Sequence, residues 1–144
     1  MHRAIHALIG IAAATAVITA AAPAASATSG DGIWGRYYSK YSGDTRAYAE
    51  GKVYLDDNGR LVVGGKLYAK RARPGLCGYV QVAYEDFEPE DRGTEFYSAK
   101  YCDPQGFRRF RFAEFGAGTA RLRVCYTDSM RGRHACNKWH YIYE

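Results

Sequence analysis

Few side chains in this sequence have the types and spacing that catalysis requires. His134 and His140 are the histidines outside the N-terminal leader, six positions apart. On a straight strand that is about 20 Å, too far for both to act on one scissile bond. One of them, with Glu114 as carboxylate and nearby arginines, would supply acid–base chemistry on a phosphodiester, the minimum for a small ribonuclease. Beyond the leader there is no G-x-S-x-G nucleophile elbow, and phosphate-loop and dinucleotide fingerprints are absent. No spacing singles out two carboxylates for glycoside hydrolysis. Cys77, Cys102, Cys125 and Cys136 include no C-x-x-C pair, so no metal site is expected. An even set of cysteines implies two disulfides, which removes thiolate chemistry. The sequence therefore points to binding, without a cofactor.

The binding candidates are cations. Phe110 and Phe112 alternate with Arg109 and Arg111, and Leu122 and Val124 with Arg121 and Arg123. A period of two is the pattern of a half-buried strand. If Gly116-Ala117-Gly118 closes a hairpin, Phe112 pairs with Leu122, Arg111 with Arg123 and Arg109 with Cys125. A second hairpin with Cys125 facing Cys136 puts Leu122 beside Trp139, Arg123 beside Lys138 and Arg121 beside His140. Trp139 and Tyr141 then join the apolar face. The opposite face becomes a ladder of Arg109, Arg111, Arg121, Arg123, Lys138 and His140. Like charges directly across strands are unfavourable by a few tenths to about 1 kcal/mol each, so the ladder calls for a neutralising partner. Either the acidic stretch of residues 85–95 folds over it, or a polyanion binds it in a salt-dependent way.

The elements that would position these residues follow from the rest of the chain. Met1-His2-Arg3, the apolar residues 4–22 and the small-x-small Ala25-Ser26-Ala27 read as a signal peptide over 1–27. Residues 28–144 are the length of one domain, expected to be extracellular, monomeric and not inserted in a membrane. Ala47, Ala49, Gly51, Val53 and Leu55 alternate with Tyr48, Glu50, Lys52 and Tyr54, and Leu61, Val63, Gly65, Leu67 and Ala69 continue on alternate positions. A three-residue loop with Gly59 left-handed pairs Leu55 with Leu61, Val53 with Val63 and Ala49 with Leu67. The outer face then pairs Glu50 with Lys66 and Tyr48 with Tyr68. A Cys77–Cys102 bridge likewise aligns Val80 with Ala99 and Val82 with Tyr97, with residues 85–95 as an acidic tip.

Seven to eight short strands separated by Gly, Pro, Asn and Asp predict an all-β antiparallel sandwich with bridges Cys77–Cys102 and Cys125–Cys136. Its expected core is Val53, Leu55, Leu61, Val63, Val80, Val82, Phe110, Phe112, Leu122, Val124 and Trp139. Trp34, Tyr37, Tyr38, Tyr41, Tyr48, Tyr54 and Tyr68 are too many rings for so small a core, so some belong to a surface.

An export signal followed by a β domain with two hairpin disulfides, ending in Val124-Cys125 and Ala135-Cys136, resembles the small secreted β-sandwich proteins of actinomycetes. Trp34-Gly35-Arg36-Tyr37 has a slight likeness to the Trp-Arg-Tyr turn of small α-amylase inhibitors from those bacteria, with an inserted Gly and different cysteine spacing. Three functions are thus expected in order: binding of an acidic extracellular polymer or protein, inhibition of a secreted hydrolase through residues 34–38 or 85–95, and ribonuclease activity.

Overall fold

A computed structural model describes residues 32–40, 46–70, 72, 74–86, 93–128 and 133–144. The proposed leader, Tyr41, and Glu88, Glu90 and Asp91 of the acidic tip lie outside them. Nine strands run in chain order: β1 (Gly32–Tyr38), β2 (Arg46–Leu55), β3 (Leu61–Lys70), β4 (Leu76–Asp86), β5 (Thr94–Tyr101), β6 (Arg108–Glu114), β7 (Ala117–Asp128), β8 (Arg133–Cys136) and β9 (His140–Tyr143). They form two antiparallel sheets, one ordered β1-β2-β3-β6 and the other β5-β4-β7-β8, with β9 also pairing β7. The fold is an all-β sandwich.

Two hairpins have the register their sequences dictate. β2 and β3 pair Leu55 with Leu61, Val53 with Val63 and Ala49 with Leu67. Their turn has Gly59 at φ 75° and is closed by the Asp56 amide donating to the Arg60 carbonyl at 3.0 Å. β4 and β5 pair Val80 with Ala99 and Val82 with Tyr97. Both disulfides are formed, Cys77–Cys102 and Cys125–Cys136. Two bridges in a small all-β chain are the usage of an oxidising compartment.

The C-terminal hairpins differ from expectation in two ways. First, β6 does not pair with β7. It pairs with β3, placing Phe112 beside Val63 and Arg111 beside Gly64. β7 pairs with β4, placing Val124 beside Val80 and Leu122 beside Val82. The link through Phe115 and Gly116 is thus an arch from one sheet to the other. Second, Cys125 faces Cys136 as expected, but the chain leaves the ladder at residues 137–139. It returns with Leu122 opposite His140 and Arg121 opposite Tyr141. A slip of one residue exchanges the two faces of a strand. Tyr141 is accordingly exposed and Trp139 lies outside the core, whereas Ile142 and Tyr143 pack against it.

Parity within β6 and β7 is as the alternation implies. Phe110, Leu122 and Val124 are buried, Phe112 is half-buried against the core, and Arg111 is exposed. Leu55, expected inside, is 52% exposed at the end of β2, two residues beyond the last pair with β1, Gly32 with Val53, whereas its partner Leu61 is buried. Two buried tyrosines tie the sheets together. Tyr84 Oη accepts from the Val63 amide at 3.2 Å and donates to the Phe112 carbonyl at 3.0 Å. Tyr126 Oη donates to the Lys70 carbonyl at 3.1 Å. Burial pushes the Tyr84 phenol well above its ordinary pKa, so this bridge stays protonated.

Candidate binding face on the four-stranded sheet

The arch between β6 and β7 divides the expected cationic ladder. Arg109 and Arg111 stand on the outer face of the four-stranded sheet, and Arg121 and Arg123 on the outer face of the other. His140 belongs to neither, since it stacks on the inward-facing Tyr37 with centroids 3.9 Å apart. Lys138 is exposed in the segment before β9. The six residues do not share one surface.

On the five-stranded sheet the arginines are already engaged. Arg121 pairs with Glu85 at 3.0 Å. Arg123 donates twice to Gln81 Oε1, at 3.0 and 2.8 Å. The Trp139 ring, turned outward by the slip, lies under both guanidiniums at 5.1 and 4.4 Å. It also contacts Phe96 with centroids 6.3 Å apart. On this face Arg121 has a carboxylate partner, while Arg123 is held by a neutral amide and the Trp139 ring.

The four-stranded sheet is different. Its register lines up outward side chains in rows that cross all the strands. One row is Tyr38, Tyr48 and Tyr68, extended by Phe107, with neighbouring rings in contact at 5.7, 4.4 and 5.5 Å. Next comes Gly35, Glu50, Lys66 and Arg109, and then Ile33, Lys52, Gly64 and Arg111. Together the last two rows line an open trough of about 750 Å³ with Tyr54 on its wall. Trp34 lies under the sheet, 4% exposed, beneath Gly51 and Gly65.

Acids are scarce here and already committed. Glu50 accepts from Arg36 Nε at 3.0 Å and from Tyr68 Oη at 3.4 Å, so it pairs with Lys66 in register but not as an ion pair. Asp56 accepts from the Asn58 and Arg60 amides at 3.1 and 3.0 Å and pairs with the Arg60 side chain at 2.8 Å. These bonds, the Arg60 amide's foremost, hold its carboxyl below the usual range. Arg111 reaches the same carboxylate only at 3.6 Å. Lys52, Lys66 and Arg109 have no carboxylate within 4 Å among the described residues. Lys66 and Arg109 stand directly opposite each other, both over the Phe107 ring at 4.6 and 5.9 Å.

The other expected sites fare less well. His134 contacts Tyr79 on the outer face of the five-stranded sheet, while His140 faces inward, so the two are not on one side of the chain's end. The Glu114 carboxylate accepts from the Tyr97 hydroxyl. Trp34 is in a strand and buried, so residues 34–37 do not present a turn. Among the described residues no His, Cys, Asp and Glu cluster could hold a metal, and no helix is long and apolar enough to cross a membrane.

Lys52, Lys66 and Gly64 were absent from the sequence-derived site. Their signal was the β2/β3 register, which puts Lys52 beside Gly64, but their grouping with Arg109 and Arg111 requires β6 to lie beside β3. No protein-family model matches the chain, and no match was found among curated proteins or solved structures.

Proposed function

We propose that this is a secreted binding protein, exported by its N-terminal signal, whose four-stranded sheet engages an acidic extracellular polymer through Lys52, Lys66, Arg109 and Arg111. The observation that carries the reading is the juxtaposition of Lys66 and Arg109. They are like charges opposite each other across β3 and β6, without a carboxylate within 4 Å among the described residues. Such a pair costs stability in the free protein. A polyanion laid along the trough offsets that repulsion and releases its own counterions.

On the other sheet Arg121 has Glu85 as its carboxylate partner and Arg123 is held by Gln81 and the Trp139 ring, so neither is as free to take a ligand as Lys66 and Arg109. Direct titration with a polyanion such as heparin tests this. Affinity is expected to fall steeply as salt rises, and a Lys66→Gln/Arg109→Gln variant is expected to bind at least tenfold more weakly with a shallower salt dependence. Equal binding by that variant would refute the reading.

A further inference from the structure

Resting on that reading, we propose that the ligand is an acidic polysaccharide, one of whose pendant carboxylate or sulfate groups sits in the notch above Gly64. Gly64 is in the middle of β3, with Lys52 and Arg111 on either side across the strands and Lys66 next along the same face. A Cβ there would meet only the Phe110 carbonyl oxygen at 3.5 Å, an ordinary contact. Nothing in the packing demands a glycine, although glycine weakens a strand interior.

Its neighbours are different cases. A Cβ on Gly51 or Gly65 would lie within 2.7 or 2.9 Å of the Trp34 ring, so those two glycines are explained by the core. Gly64 keeps open a gap one side chain wide, walled by cations. An oxyanion fits it, and Arg111 has the planar fork that recognises carboxylate and sulfate alike.

The aromatic row decides between a polysaccharide and a single-stranded nucleic acid. Binding of bases relies on ring faces open to stacking. Here Tyr48 and Tyr68 stack on each other at 4.4 Å, 11° from parallel. Arg46 covers Tyr38 at 3.8 Å, Arg36 lies over Tyr48 at 4.9 Å, and Lys66 lies over Phe107 at 4.6 Å. The faces are taken by one another and by cations, which leaves ring edges toward solvent. An acidic glycan, held by its charged groups and hydroxyls, does not need free ring faces. Ile33, 87% exposed at the end of the Gly64 row, offers an apolar contact for the C–H side of a sugar ring.

The test uses the full mature chain and Gly64→Val, with Gly64→Ser as a smaller filling should Val lower the thermal midpoint. Probes are polygalacturonate, dextran sulfate, neutral dextran and oligo-dT at matched ionic strength. Expected is binding to one or both acidic glycans, the preferred one identifying carboxylate or sulfate. Dextran should not bind, oligo-dT should bind at least tenfold more weakly, and the Gly64 variants should lose at least tenfold for the glycan. Oligo-dT binding as tightly as the glycans, or a filled notch that leaves glycan binding unchanged, would overturn the inference. If Lys66→Gln/Arg109→Gln weakens binding in that event, the polyanion reading survives alone. If no polyanion binds, both fall.

Discussion

Tyr37 and His140 stack face to face, ring centroids 3.9 Å apart and 9° from parallel, joining the edge strand of one sheet to the last strand of the other. The contact exists because the chain leaves the ladder at residues 137–139 and rejoins one residue late, which turns His140 inward and Trp139 outward. One slip therefore decides which of these side chains faces the interior and which covers the arginines.

His140 should make stability depend on pH near neutrality. Burial, with the charge of Lys138 as a smaller cause, holds its pKa below the ordinary 6.5. Between the folded-state value and 6.5 the unfolded chain binds the proton more readily, so stability rises as pH rises through that window and is complete above it. Denaturant unfolding from pH 5 to 8 should show this rise, and His140→Gln should flatten it. An unchanged slope in the variant would show that another group is responsible.

Tyr84 bridges the β3–β6 ladder from the opposite sheet, accepting from Val63 and donating to Phe112. Tyr84→Phe keeps the ring and leaves a buried N–H and C=O without that hydroxyl, at a cost of about 1–3 kcal/mol. Equilibrium denaturation measures it, and a change below about 0.5 kcal/mol would show that the bridge contributes little.

Trp139 distinguishes the two registers. As a core residue its replacement by Ala would cost about 3–5 kcal/mol. With Arg121 and Arg123 over its ring instead, the replacement should cost about 1–2 kcal/mol, the worth of two partly exposed cation–π contacts. A core-sized loss would contradict the outward placement.

Gly64 and Gly65 are adjacent, yet Ala substitution should separate them. Gly64→Ala should be neutral or stabilising by about 0.5–1 kcal/mol, because it fits and strand glycines are costly. Gly65→Ala drives a Cβ to 2.4 Å from the Glu50 carbonyl oxygen and 2.9 Å from Trp34. A loss of about 1–3 kcal/mol is expected, the range for overpacking. Thermal unfolding of the pair checks this, and similar midpoints would refute it.

What could be read from the sequence was parity and local pairing. The β2/β3 hairpin was legible because only the three-residue loop keeps Val53 against Val63, and the β4/β5 hairpin because a disulfide fixes its register. Partner choice was not. A short glycine-containing link after Phe112 serves a hairpin and an inter-sheet arch equally well, and the alternation on each side is the same in both. The choice rests on distant strands: β3 needs β6, and β4 needs β7. The slip before His140 was hidden for a similar reason. Val124 still receives a bond from the Asn137 amide at 3.1 Å, so pairing breaks only after the disulfide has been satisfied. The basic ladder was thus right residue by residue in β6 and β7, and wrong as one surface.

Backbone amide shift mapping with heparin at low salt tests most directly which surface binds. Shifts concentrated at Lys52, Gly64, Lys66, Arg109 and Arg111, and lost together as salt is raised, are the expected result. Shifts concentrated at Arg121, Arg123 and Trp139, or none at all, would contradict it.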